Sequence, residues 1–208
     1  MKFAPEGWQL VSPLSALAVV VMIWGLFSRS HVPLWIGAGV LVLSLVVLLF
    51  FRDPERHSPS DPRAVVSPAD GKVIITETLP DGRKHVAIFL SVFDVHVNRV
   101  PIGGEAERIT VTPGAYFHAG SLRAGGENAR VDVEARSAFG AVAWRQVSGS
   151  IARKISCRLK NGDTFQTGQR FGLIYFGSRM DVFLPASAAI ATSKGKRVHA
   201  GESVIATF

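Results

Sequence analysis

Two long apolar runs open the chain, Leu10 to Phe27 and Val32 to Phe51, and neither holds a charged residue. Each approaches the roughly 20 residues that a helix needs to cross the hydrocarbon core of a bilayer. Only Ser28-Arg29-Ser30-His31 lies between them, enough for a tight reversal. The pattern predicts a two-helix membrane anchor over residues 1–51, with Trp8, Trp24 and Trp35 near the run ends, where indoles favour the interface. Pro54, Pro59 and Pro62 then fall among charged and small residues, marking a linker over 52–63. From Ala64 onward short runs alternate with Gly, Pro and Asp. Strands are expected at Lys72 to Thr78, His85 to Ser91, Arg130 to Ala135, Ala141 to Ser148, Phe171 to Tyr175, Asp181 to Leu184 and Ser203 to Thr207. Pro80-Asp81-Gly82 and Asn161-Gly162-Asp163 read as hairpin turns. Helical periodicity is confined to a short stretch near Ala115 to Arg123. Residues 64–208 should therefore form a mainly β domain, a sandwich or a partly closed barrel.

Composition sharpens this division. The chain of 208 residues is 48% hydrophobic, and most of the apolar excess precedes residue 52, whereas the net charge of +7 lies almost wholly after it. A basic domain could meet nucleic acid, an acidic small molecule or anionic lipid. Aromatics interleaved with Lys and Arg, or a helix-turn-helix pattern, would support nucleic acid, and neither occurs. Beside a membrane segment, anionic headgroups are the better partner. A cleaved signal peptide fits poorly, because Pro5, Glu6 and the second apolar run depart from its pattern. Arg52, Arg56 and Arg63 follow the second run, against Arg29 alone in the turn, so the positive-inside bias puts the main domain on the cytoplasmic side of a cell membrane. The one cysteine, Cys157, excludes an internal disulfide framework and a Cys-rich metal site. It sits in the alternating run Ile155 to Leu159 and reads as a small buried hydrophobe.

Two segments look like halves of one design. One is Val66-Ser67-Pro68-Ala69-Asp70-Gly71-Lys72-Val73. The other runs from Lys194 to Ala206. Together they resemble the hammerhead-type β-sandwich of biotinyl and lipoyl carrier domains, but the exposed lysine hairpin of a carrier is missing. In Leu173 to Pro185, LIYFGSRMDVFLP, an apolar strand meets Gly177-Ser178 and a second strand follows directly. By itself this pair is an ordinary turn, since glycine allows unusual backbone angles and serine favours turns.

Four ordered blocks carry more. Ser67-Pro68-Ala69-Asp70-Gly71, Phe89-Leu90-Ser91 through Asp94-Val95-His96 to Val100-Pro101, Gln146-Val147 through Ile151-Ala152-Arg153-Lys154-Ile155, and Phe176-Gly177-Ser178-Arg179 with Asp181-Val182 and Leu184-Pro185 resemble the phosphatidylserine decarboxylase proenzymes in their short bacterial form. The likeness spans about residues 50 to 208.

The resemblance implies a pyruvoyl-dependent carboxy-lyase that makes its own cofactor. Ser178 would attack the carbonyl of Gly177, and the chain would part into residues 1–177 and 178–208, which stay associated. Ser178 would become the covalent pyruvoyl group. That ketone would form a Schiff base with the amine of an anionic phospholipid and accept electrons as carbon dioxide leaves, giving phosphatidylethanolamine. No metal is expected, and homo-oligomerisation and the choice between phosphatidylserine and its archaeal ether analogue stay open. The resemblance also implies that Asp70 orients a histidine that activates the serine, as in a hydrolase triad. His96 takes the first of two histidine positions, but Arg99 stands at the second. Either His96 serves both steps or another histidine substitutes, with His118 the candidate ahead of His85 and His199. Arg99 and Arg179 could grip phosphate or carboxylate oxygens, or be plain surface charges. Two other classes compete: a membrane-tethered adaptor in which Ser178 is only a turn residue, and a serine hydrolase, which lacks its Gly-x-Ser-x-Gly elbow.

Overall fold

The computed structural model describes residues 2–121, 123–150, 154–175 and 177–208, and the chain divides into two compact units, 1–55 and 56–208. In the first unit two helices, α1 (Pro5–Phe27) and α2 (His31–Phe50), are each long and apolar enough to cross a membrane. Pro5 opens α1 at a position where its missing N–H costs nothing. Arg29, at φ 52°, makes the reversal between the helices. The helices meet through small residues: Gly7, Ala18 and Gly25 on α1 and Gly37 and Ser44 on α2 are buried. A Cβ at Gly37 would collide with Met22. Close approach of backbones is how helices gain packing where lipid supplies no hydrophobic drive. Leu17, Val20, Trp24, Phe27, Trp35 and Val42 point outward and are exposed. A two-stranded pairing of Lys2–Phe3 with Arg52–Asp53 closes the unit.

The second unit is built of strands. An eight-stranded antiparallel sheet runs in the order Thr164–Phe165, Gly104–Thr112, Arg130–Ser137, Gly140–Val147, Ser178–Leu184, Lys84–Leu90, Gly71–Thr78, Arg197–Val198. A three-stranded sheet, Ile155–Cys157, Arg170–Ile174, Val97–Arg99, and another, Ala189–Ile190, Val204–Thr207, Ala64–Val66, complete the fold. The core lies on the face carrying Ile88, Leu90, Val133, Trp144, Met180, Val182 and Leu184, all wholly buried. Phe165 and Phe171 meet the Trp144 ring edge-on at 5.6 and 5.8 Å. Among the described residues the large sheet does not close on itself, so there is no closed barrel and the layers are consistent with a sandwich.

The two hammerhead-like segments are joined as expected. Arg197 and Val198 pair with Lys72 and Gly71, Val204 and Ala206 pair with Val66 and Val65, and Ser67 N–H donates to the Ser203 carbonyl at 2.8 Å. Gly71, at φ 154°, leaves no room for a Cβ against the Phe89 carbonyl, which is why the corner is Asp-Gly.

Three expectations need correction. The helix expected near Ala115 to Arg123 does not form among the described residues there, and a single turn at Ala124–Glu127 follows. Asn128 is the cause: its side chain accepts from Phe117 N–H and donates to the Phe117 carbonyl, both at 2.8 Å, capturing groups a helix would need. Asn161-Gly162-Asp163 does turn, with Gly162 at φ 85°, but the strands on either side enter different sheets and form no hairpin. Cys157 is half-buried rather than fully buried. Desolvation pushes its thiol pKa up, only partly offset by a backbone contact near Leu159, which disfavours a nucleophilic thiolate.

Candidate active site

Ser178 is the first residue of its strand and lies opposite Leu90 in register. The strand's even positions, Ser178, Met180, Val182 and Leu184, face the core, because side chains alternate along a strand. Ser178 is wholly buried, and its Oγ has no hydrogen-bond partner among the described residues. A buried hydroxyl without a partner costs free energy on the order of 1–3 kcal/mol, so its presence asks for a chemical reason. Gly177 precedes it at φ 64°, in the left-handed region, with open space where a Cβ would stand. Backbone angle, not crowding, selects glycine here. Phe176, the first residue of the FGSR motif, and Ile151, Ala152 and Arg153 of the third block lie outside the described residues.

His96 is also wholly buried. Its Nδ1 lies 2.9 Å from the Asp94 carbonyl, which can only accept, so Nδ1 carries the proton. In the neutral ring Nε2 is then the basic nitrogen. The His96 carbonyl in turn receives Ile174 N–H at 3.4 Å, tying this residue to the strand that leads toward Ser178.

Asp70 is buried in a different set of contacts. Its carboxylate accepts from Ala200 N–H at 2.7 Å and from Arg56 at 2.9 Å, and His199 Nδ1 lies 3.4 Å away. Arg56 also binds Glu202 at 2.6 Å. The histidine bonded to Asp70 is thus His199, while His96 is oriented by the Asp94 carbonyl. Arg99 belongs to the Arg56 neighbourhood: it is buried, donates to the Gly168 carbonyl at 3.1 Å, and lines a cavity of about 560 Å³ with Arg56, His57, Ser58 and Arg170.

Arg179 and His118 lie on the other face of the sheet. Arg179 stands opposite Phe89 in register, and the exposed His118 ring packs on Phe89 at 5.4 Å. His118 Nδ1 accepts from Gly120 N–H at 3.2 Å. Arg179 is buried and donates to Asp181 at 2.7 Å and to the Ser121 carbonyl at 3.4 Å. Neither Arg99 nor Arg179 is a surface charge, which removes that alternative. Asp181 also meets His85 Nε2 at 3.3 Å, and Glu77 meets His85 Nδ1 at 2.8 Å, so both ring nitrogens face carboxylates. Burial alone would lower the His85 pKa, but the Asp181 hydrogen bond and charge, with Glu77, outweigh it and Arg179's opposing charge, and raise it above the ordinary value.

Sequence reasoning missed Arg56, which it left in the linker, and ranked His199 low. It also missed the Arg179–Asp181–His85–Glu77 network, although an aspartate between apolar residues in a buried strand is a usable signal.

Taken together, these features define a strand-rich domain with a buried serine directly after a left-handed glycine and a separately buried histidine, preceded by two helices apolar enough for a membrane. Known proteins give that class a family. A family model described as phosphatidylserine decarboxylase matches residues 43–206. A phosphatidylserine decarboxylase proenzyme of Chlorobaculum parvum is 35% identical over 210 residues, covering 99% of this chain and 98% of the relative. Proenzymes of the same name match from Desulfotalea psychrophila, at 42% identity over 79% of this chain and 80% of the relative, and from Oleidesulfovibrio alaskensis, at 41% over 97% and 92%. The chain belongs to the phosphatidylserine decarboxylase family.

Proposed function

We propose that this chain is a membrane-anchored, self-processing decarboxylase that cuts itself between Gly177 and Ser178 and converts phosphatidylserine into phosphatidylethanolamine and carbon dioxide. The observation that carries the reading is the Ser178 hydroxyl: buried, without a partner among the described residues, and directly after a left-handed glycine. Complete burial on the core face of a strand sets Ser178 apart from a serine held only as a turn former, which would sit at the surface.

In the proposed processing step, Ser178 Oγ attacks the Gly177 carbonyl carbon while His96 Nε2 takes up the hydroxyl proton. The amide becomes an ester. Loss of the Ser178 Cα proton then expels the Gly177 carboxylate, releasing residues 1–177. The unsaturated residue left at position 178 takes up water and loses ammonia, leaving a pyruvoyl group at the head of residues 178–208. That group supplies a ketone able to draw electrons from a substrate losing carbon dioxide. The residues fit it: position 178 is wholly buried and lies opposite Leu90, at the end of the strand that leads on to His96, which suits an electron-withdrawing carbonyl that must be shielded from water.

Asp70 acts in this reading as a positioning residue, holding Arg56 and the Ala200 corner together. Arg99 and its basic cavity suit an anionic oxygen. The apolar helices suit a substrate that resides in a bilayer, with the domain on the cytoplasmic side following the arginine bias after α2.

Intact mass on a denaturing gel tests the reading. The wild-type chain of 22.4 kDa is expected to give residues 1–177 and a fragment 178–208 blocked by a keto group. Ser178→Ala should stay whole and release no carbon dioxide from phosphatidylserine. Cleavage that persists in Ser178→Ala would overturn the assignment.

A further inference from the structure

Between Leu90, the register partner of Ser178, and His96 the chain makes a short loop. Its tip is Val92-Phe93. Phe93 is 84% exposed, the most exposed large hydrophobic residue among the described residues of 56–208, and Val92 beside it is exposed too. An aromatic ring held in water is unfavourable, and a flexible loop would fold it away. This loop is pinned instead. The Asp94 carboxylate accepts from Ser91 N–H at 2.8 Å and from Ser91 Oγ at 2.6 Å, Asp94 N–H donates to the Ser91 carbonyl at 3.0 Å, and Arg197 pairs with the same carboxylate. Asp94 thus fixes the tip with its side chain and His96 with its carbonyl.

The flank of the loop is basic. Arg197 is exposed and stands in register with exposed Lys72, and Lys194 and Lys196 are exposed in the adjoining turn. A rigid aromatic tip beside clustered lysines and arginines matches the chemistry of an anionic leaflet, whose boundary accepts rings and whose headgroups attract cations.

We propose that the Ser91–Asp94 loop is a bilayer-contact element: Phe93, with Val92, enters the acyl boundary of an anionic membrane while Lys72, Lys194, Lys196 and Arg197 meet its headgroups. The contact presents the Ser178 corner to a lipid whose acyl chains stay in the bilayer. This rests on the reading of the substrate as a bilayer lipid.

The test uses the full chain reconstituted in vesicles. In a Cys157→Ala background, Phe93→Cys and Asp81→Cys carry an environment-sensitive fluorophore. Asp81 lies in the turn at the other end of the strand Lys84–Leu90, roughly 20 Å from its Leu90 end at 3.3 Å per residue. With brominated phosphatidylcholine as quencher, the label at 93 should be quenched several-fold more than that at 81, and more strongly when phosphatidylglycerol is added. Equal quenching at both positions, or shielding of position 93 through association of two chains, would overturn the proposal. Independently, Phe93→Ser should lower decarboxylation of phosphatidylserine in vesicles about tenfold, with self-cleavage complete and turnover of short-chain, monomeric phosphatidylserine unchanged. Equal loss on both lipids would show a structural role and also overturn it. Wild-type protein that turns over neither lipid would sink the functional reading instead, while the quenching comparison would still decide the loop.

Discussion

The strand Ser178–Leu184 buries polar groups on both of its faces, and the two faces treat them in opposite ways. On one, Arg179, Asp181, His85 and Glu77 form a chain in which each charge meets an opposite one. On the other, the Ser178 hydroxyl is buried with no partner among the described residues. A saturated network rigidifies a fold, while a buried group left unsatisfied is tolerated where chemistry needs it. The comparison separates two histidine-bearing regions that look alike in sequence: His85 is tied with Arg179 into the charged chain, while His96, held by the Asp94 carbonyl, is the base proposed for the serine.

The largest test of that separation is His96→Asn. An asparagine amide can still donate to the Asp94 carbonyl that now holds Nδ1, but it offers no base to Ser178. Processing of freshly made precursor, followed by gel, should slow about 10²- to 10⁴-fold, the usual worth of a positioned general base. His118→Ala should process at the wild-type rate, because His118 packs on the opposite face. A normal rate in His96→Asn would remove His96 from the step.

Next in size is Asp181→Ala, made with Ser178→Ala so that all material is one chain. Removing one partner of a buried pair strands the Arg179 charge and should cost about 3–5 kcal/mol, read from the urea unfolding midpoint. With Ser178 intact, the folded fraction should still cut itself. Folded Asp181→Ala that failed to process would show that the two faces are not separable.

Much of this arrangement was legible in the sequence, for reasons that differ by region. The anchor and the strands from Lys72 to Ser148 announce themselves through unbroken or alternating apolar positions. The nine-residue strand Gly104–Thr112 does not, because only Ala106 along it is fully buried and charged residues interrupt its alternation. Gly177-Ser178 is indistinguishable from a turn by local rules and stands out only through the four ordered blocks around it. The partners of Asp70 were beyond reach for another reason. Arg56 is 14 positions away and His199 is 129, and the corner that unites them exists only once the two ends of the domain pair. Periodicity reports which face a residue occupies, but the identity of its partner is a property of topology.

The smallest expected effect is also the most discriminating about charge. His85 has both ring nitrogens against carboxylates, and although burial opposes its protonation, Asp181 and Glu77 raise its pKa above the ordinary 6.5. A histidine whose pKa is higher folded than unfolded binds its proton more tightly in the native state, so folding gains from it fully below the unfolded pKa. That gain fades as pH rises through the folded value. In the Ser178→Ala background, unfolding by urea should therefore show His85→Gln less stable than its parent by the widest margin near pH 5.5. The margin should narrow as pH climbs past the folded pKa. A margin that is flat with pH would mean that His85 contributes shape alone, for instance through its stacking on Phe183 at 4.7 Å. A margin that widened with pH would mean that its neutral form is the one the fold prefers, and the carboxylates beside it would then have to be reassigned.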